Sequence, residues 1–181
     1  MRLIRNMQML GAAVVLVGLA SLAAEAADPC DGYNWDVSKE RALFAESAQP
    51  VVAGRSEASA AKLVPDRLYE VRFTPQSQVT FSVPPEKKLP PDGVFAGLAE
   101  LRIATDGIYR ISLDAPIWID VVADGKVVGS RDFQGAHGCD APRKIVEFEL
   151  SATTQHLLLQ FSGTTSASAR VSISRAPTPK S

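Results

Sequence analysis

An all-β, antiparallel sandwich preceded by a short helix is the fold this 181-residue sequence predicts. Three observations carry that expectation. From Leu68 onward, short runs of β-branched and aromatic residues alternate with polar ones at a period of two. Asp106-Gly107 and Asp124-Gly125 supply tight-turn chemistry, and the second joins two runs at the two-residue length a hairpin needs. Between the expected leader and these runs, Lys39 to Ala48 are mostly good helix formers.

The first residues form a leader pattern. Met1-Arg-Leu-Ile-Arg5 is a short positive region, an apolar stretch runs from Met9 to Ala24, and Ala24-Glu25-Ala26 has the small-x-small spacing that signal peptidase reads. The stretch is short beside the about 20 residues of a bilayer span. Residues 1–26 are therefore expected to be a cleaved signal peptide, with a mature chain of 155 residues starting at Ala27 in the periplasm or outside the cell. Ala-Asp-Pro before Cys30 is unlike a lipobox. Arg2, Arg5 and Glu25 leave with the leader, so 17 basic and 19 acidic residues remain, a formal charge of −2. Near-neutrality without a basic run argues against nucleic acid and against docking on anionic membrane. Beyond the leader, no apolar run is long enough to span a membrane.

Residues 27–66 read as an N-terminal helix and a connection. Ser38 is a candidate helix cap, and Val37, Phe44 and Ala48, with Leu43 beside them, form an apolar stripe at helical spacing. The connection is small and polar, with a short edge strand suggested at Pro50-Val-Val-Ala53. Residues 67–175 read as the sandwich. Its expected strands are 68–73, 78–83, 94–104, 107–114, 117–123, 126–130, 144–150, 156–162 and 169–174, with the Pro-rich loop 84–93 among them. Residues 176–181 read as a flexible tail.

Alternation assigns faces. Tyr109, Ile111 and Leu113 oppose Arg110 and Ser112; Val146, Phe148 and Leu150 oppose Glu147 and Glu149; Val171 and Ile173 oppose Arg170, Ser172 and Ser174. In 117–123, Ile117, Ile119 and Val121 share one face and Trp118, Asp120 and Val122 the other. Such a strand is either covered on both sides or presents Trp118 at a surface.

The chemistry-bearing residues concentrate in "GAHGCDAPRK" (135–144). Two cysteines in an exported protein of this size most often pair, so a Cys30–Cys139 disulfide is expected in an oxidising compartment. The rival reading takes His137 and Cys139 with Asp132 or Asp140 as ligands of zinc or copper, or as a small hydrolytic site. A metal centre needs three or four protein ligands, and the one other histidine, His156, starts a strand, with no CxxC, HxH or HExxH spacing in the chain. No GxSxG elbow is present either. Asp114 and Asp120 are conceivable as a carboxylate dyad, though acids at strand ends are ordinary on solvated faces. No catalytic residue, metal or cofactor is assigned.

Binding is the stronger class. Trp118, Phe133, Tyr33 and Trp35 are candidate aromatic contacts, and Arg131, Arg143 and Lys144 are candidate anchors for a carboxylate or phosphate. The bland alternatives are that Trp35 plugs the helix onto the sandwich and that Trp118 packs under the N-terminal segment. The working site set is Trp118, Asp120, Phe133, His137, Arg143 and Lys144, with an envelope protein, a peptide or a cell-envelope glycan as partner. A purely structural envelope role is the other non-enzymatic reading.

The segments "NWDVSKERALFA" (34–45), "GIYRISLDAPIWIDVVADGK" (107–126) and "GAHGCDAPRKIVEFEL" (135–150) resemble a family of small exported proteobacterial proteins to which no reaction is assigned. Trp35 with Glu40-Arg41, Trp118-Ile119-Asp120, and His137-Gly138-Cys139 followed by Arg143-Lys144 carry the likeness, which implies a shared fold and no reaction. Residues 68–174 are more loosely similar to pre-peptidase C-terminal and related jelly-roll modules, through Gly107–Leu113 and the Asp120–Lys126 hairpin. Such a jelly-roll-like sandwich sometimes binds calcium, but a matching set of acids is not evident in this chain.

Overall fold

The computed structural model describes residues 28–87 and 92–177. The expected leader, residues 1–26, part of the Pro-rich loop and the last residues of the expected tail lie outside them. The strands are β1 (Gln49–Val52), β2 (Ala61–Leu63), β3 (Arg67–Arg72), β4 (Thr74–Pro75), β5 (Phe95–Leu101) and β6 (Gly107–Leu113). They continue as β7 (Trp118–Ala123), β8 (Lys126–Val128), β9 (Asp132–Gly135), β10 (Lys144–Leu150), β11 (Leu157–Thr164) and β12 (Ser168–Arg175). One sheet runs β1-β3-β12-β6-β10-β9 and the other β2-β5-β11-β7-β8, with β4 also on β5. The chain is an all-β sandwich. Most pairings are antiparallel, as expected, but β1 on β3 and β2 on β5 are parallel, and both additions come from the 49–66 connection.

The period-two reading places the core correctly. Tyr109, Ile111 and Leu113 of β6, Phe148 and Leu150 of β10, and Val171 and Ile173 of β12 are buried between the sheets against Ile119, Val121, Leu159 and Phe161. Each such side chain contributes about 1.5–3 kcal/mol when withdrawn from water. Asp124 and Gly125, both at positive φ, close the β7–β8 hairpin as the Asp-Gly dipeptide predicts.

Both outer faces are also covered in part. A helix, α1 (Ser38–Phe44), lies across the first sheet at β12 and β3. Ser38 is its first residue rather than its cap: Val37 holds the cap position, and the Ser38 amide donates to Asp36 Oδ1 at 3.0 Å. Val37, Leu43 and Phe44 are buried beneath it, and so is Glu40, which falls on the same stripe. Glu40 accepts a hydrogen bond from Ser174 and meets Arg110 Nη1 at 3.4 Å, while Arg110 Nε donates to Glu147 at 2.9 Å. The Trp35 ring lies 4.8 Å from the Arg110 guanidinium. Trp35 therefore does sit where the N-terminal segment meets the sandwich.

The second sheet is covered by the chain around residues 80–87. The expected strand 78–83 does not form. Instead, Gln160, fully buried on β11, accepts from the Ser82 and Val83 amides at 2.8 and 3.2 Å and donates to the Val83 carbonyl at 3.1 Å. One side chain thus supplies the hydrogen bonds a neighbouring strand would have supplied.

Candidate functional site

Among the described residues, strand β9 ends the first sheet and has no strand partner beyond it. Across from it, β8 pairs only with Val121–Ala123 of β7, which leaves Trp118–Asp120 without a paired strand on that side among the described residues. The sandwich is therefore one strand short along this edge. Register places Phe133 opposite Val146, whose side chain points to the core, so the Phe133 ring hangs from the inner face of the first sheet. Phe133 is 67 % exposed.

Two hollows meet along the gap and share Phe133 and Lys144. The inner one, about 170 Å³, lies among Trp118, Ile119, Asp120, Val128, Phe133, Lys144 and Phe148. The outer one, about 320 Å³, runs between Pro116, Phe133, Ala136, His137, Arg143 and Lys144. All six residues of the working set thus line these two adjoining hollows, together the groove of the open edge. The sequence did not reveal the contributions of Ile119, Pro116, Ser130 and Glu86; Lys87, which lines neither hollow, places its ammonium 5.6 Å from the Trp118 ring.

The groove's inner end is polar. Trp118 Nε1 donates to Asp120 Oδ1 at 2.7 Å, while Asp120 Oδ2 is buried without a hydrogen-bond partner among the described residues. Lys144 Nζ donates to the Ile117 carbonyl at 2.9 Å and stands 5.4 Å over the Trp118 ring. Burial pushes the Asp120 carboxyl above the ordinary carboxylate range, against the Trp118 N–H. The Glu86 amide also opposes the rise, from a position that completes no hydrogen bond to Oδ2. Burial likewise holds Lys144 below the ordinary lysine range, with the Lys87 charge adding to the effect and Asp120 opposing it. Trp118 consequently packs against Lys144 and Lys87 rather than under the N-terminal segment.

These shifts set a pH dependence. An acid whose folded pKa is raised costs folding free energy when it ionises, so stability falls as pH rises from the unfolded carboxylate value through the folded one. Asp120→Asn removes the charge and keeps the shape. Relative to the native chain, this variant is expected to gain stability between about pH 3 and pH 7, the span that brackets an upward-shifted carboxyl. Urea unfolding of both proteins at the two ends reads the difference. A pH-independent difference would show that the buried charge is not costly.

The rest of the loop is structural. Cys30 and Cys139 form the expected disulfide. Tyr33 Oη donates to the Pro142 carbonyl at 2.9 Å, and burial raises its phenol to about 12, so it remains a donor at any physiological pH. The Asn34 amide donates to Gln134 Oε1 at 2.8 Å. With Cys139 oxidised, the metal reading loses its thiolate. Asp132 Oδ1 accepts from the Phe133 amide at 2.8 Å, and Asp140 is exposed. Among the described residues no three His, Cys, Asp or Glu side chains gather as a metal site. The Asp114–Asp120 dyad does not assemble either: Asp114 follows β6 and pairs with Arg170 at 2.9 Å, whereas Asp120 serves Trp118 on the other sheet. Arg131 pairs with Glu149 at 3.2 Å, and the His156 amide donates to Asp124. Tyr33 and Trp35 lie outside the groove, in the docked N-terminal segment.

Fold and site together define the class, an all-β sandwich with an open edge. No family model matches the chain, and neither a curated protein nor a solved structure does. Among the described residues no helix is long and apolar enough to cross a membrane.

Proposed function

We propose that this protein is an exported, non-enzymatic binding module that takes a protein, peptide or cell-envelope glycan in the groove at its open edge. The observation that carries the reading is Phe133. A large apolar ring two-thirds exposed on the inner face of a sheet, above a ready-made hollow, is the arrangement expected where a partner completes the packing. The leader pattern and the disulfide support export, since disulfides persist in oxidising compartments.

Phe133→Ala is the direct test. Removing an exposed ring should change stability by no more than about 0.5 kcal/mol. Retention of the purified protein on an isolated envelope fraction should nevertheless fall at least tenfold. Lys62→Ala, an exposed change on β2, should leave retention intact. Equal retention by Phe133→Ala and the native chain would remove the groove from the function.

A further inference from the structure

We propose that β9 is a self-association edge, on which two copies of this chain pair antiparallel about a two-fold axis at Gln134 and each seats its Phe133 ring against Gly135 of the other. The pairing goes beyond the reading above but uses the same edge. Each copy closes the other's groove, so a second copy and an envelope partner exclude one another.

The first observation is the direction of the backbone groups. The Ala136 amide bonds the Arg143 carbonyl, so Asp132, Gln134 and Ala136 turn their backbone groups to β10 while Phe133 and Gly135 turn theirs outwards. The Phe133 amide is taken by Asp132 Oδ1. The Phe133 carbonyl and both groups of Gly135 therefore have no partner among the described residues. With Phe133 opposite Gly135 of a second copy, the Gly135 amide of each donates to the Phe133 carbonyl of the other. The axis makes this a pair of bonds, and both use groups that are open in the single chain. At the far end of the same sheet, β1 differs. Its Ala53 amide bonds the Arg72 carbonyl, which turns Pro50 outwards, where it offers no donor.

The second observation is the shape of the inner face. Phe133 and Gly135 stand two residues apart on one strand and share that face. Phe133 is exposed, and Gly135 adds no side chain to the outer hollow of about 320 Å³, which both line with Pro116 and Ala136. Residues directly opposite across a ladder carry their side chains on the same face. The ring of one copy thus lies over the bare Gly135 of the other, at its outer hollow, and the axis supplies the reverse contact. An aromatic side chain over an edge glycine stabilises a ladder. A projection and its recess on one patch are what a two-fold contact requires, because each residue meets its counterpart reciprocally. A ligand of another kind fills the recess but must also bring a recess of its own for Phe133.

The third observation is charge. The register brings Asp132 opposite Ala136 of the second copy, beside Arg143 on that copy's β10. Neither Asp132 nor Arg143 has an ion-pair partner among the described residues. Arg131, which comes opposite His137, is already paired with Glu149. Asp140 is held back from the edge, since Arg170 of β12 bonds its carbonyl. Each copy's acid is thereby set towards the other's basic end. The edge is only 4 residues long, short of the roughly 1,200–2,000 Å² that a stable complex buries. The association is therefore reversible and weak.

Sedimentation velocity of the purified protein, disulfide intact, from low micromolar to near-millimolar concentration tests the pairing. A reversible monomer–dimer equilibrium is expected, with association weaker by about tenfold or more in Phe133→Ala and unchanged in Lys62→Ala. Thermal melts of both variants separate lost pairing from lost folding. Gln134→Cys puts a thiol on the axis, where opposite residues between ladder bonds stand about 4.5 Å apart at Cα. Mild oxidation should link two copies through it, and adding Phe133→Ala should suppress the link. Retention of the native chain on an isolated envelope fraction should decline, per molecule, as the dimer fills; constant retention would overturn the exclusion. A monomer at every concentration would overturn the pairing. Retention that still depends on Phe133 would then leave the groove to another molecule, and no retention would overturn both readings. A dimer undiminished in Phe133→Ala, or one that the Gln134→Cys thiol does not link, would place the interface elsewhere and overturn the pairing.

Discussion

Arg110→Ala is expected to lose about 3–5 kcal/mol of stability, the scale for removing one partner from a buried ion pair. Arg110 sits on β6 with its guanidinium under Trp35, donating to Glu147, to the Asp36 carbonyl at 2.7 Å and towards Glu40. Glu40 has no exposed surface, and its remaining described partner is Ser174. Truncating Arg110 leaves that carboxylate without a cation and removes the bond that ties the Asp36 backbone, just ahead of α1, to the sheet. The loss is therefore local to the α1 interface, and the melting temperature should fall by roughly 10 °C, given about 2–4 °C per kcal/mol at this chain length. Urea unfolding of Arg110→Ala, Glu40→Gln and the double variant measures the coupling between the two residues. Additive losses would show that Glu40 and Arg110 do not depend on each other. A double variant costing little more than Arg110→Ala would show that they do.

This cluster also shows where sequence reading stops. Alternation correctly set Arg110, Ser112, Ser172 and Ser174 opposite the core, and an outward face ordinarily meets water. Here α1 covers it, and all four are buried. A signal was present: Glu40 lies at helical spacing between Val37 and Phe44, an acid on an apolar stripe, which points to a buried partner. The segment 78–83 misled for a related reason. Val79, Phe81 and Val83 alternate as a strand would, because a segment laid over a sheet needs the same apolar period, yet its hydrogen bonds go to the Gln160 side chain. Strands β2, β4 and β9 are too short to show a period, and Asp-Phe-Gln-Gly in β9 has turn-like composition. The site residues were legible as types, since Trp118, Phe133 and Lys144 stand out by chemistry. Their convergence was not, because it depends on where β8 stops pairing.

Loss of the disulfide, through Cys139→Ala with Cys30→Ala, is expected to produce an effect of similar size by a different route. The bond closes a loop of 109 residues, for which chain entropy predicts about 4–5 kcal/mol, with engineered cases commonly delivering less. The observed loss should lie at or below that figure because the N-terminal segment has other attachments. Tyr33 bonds Pro142, Asn34 bonds Gln134, and Asp28, its carboxyl held low by the Cys30 amide and Arg41, pairs with Arg41 at 2.6 Å. The segment should consequently stay docked in the native state while the unfolded state gains freedom, so the denaturant midpoint drops and the β-sheet circular dichroism of the folded protein does not change. Cys139 is buried in the loop that carries His137 and leads to Arg143, one wall of the outer hollow. Untying it loosens that wall without touching Trp118 or Asp120. Reduction should thus weaken long ligands that reach His137 more than short ones confined to the inner hollow, and comparing oligomers of increasing length with and without reductant measures this. Equal weakening at every length would mean that the bond acts on the whole edge, and an unchanged denaturant midpoint would mean that the link does not stabilise the fold.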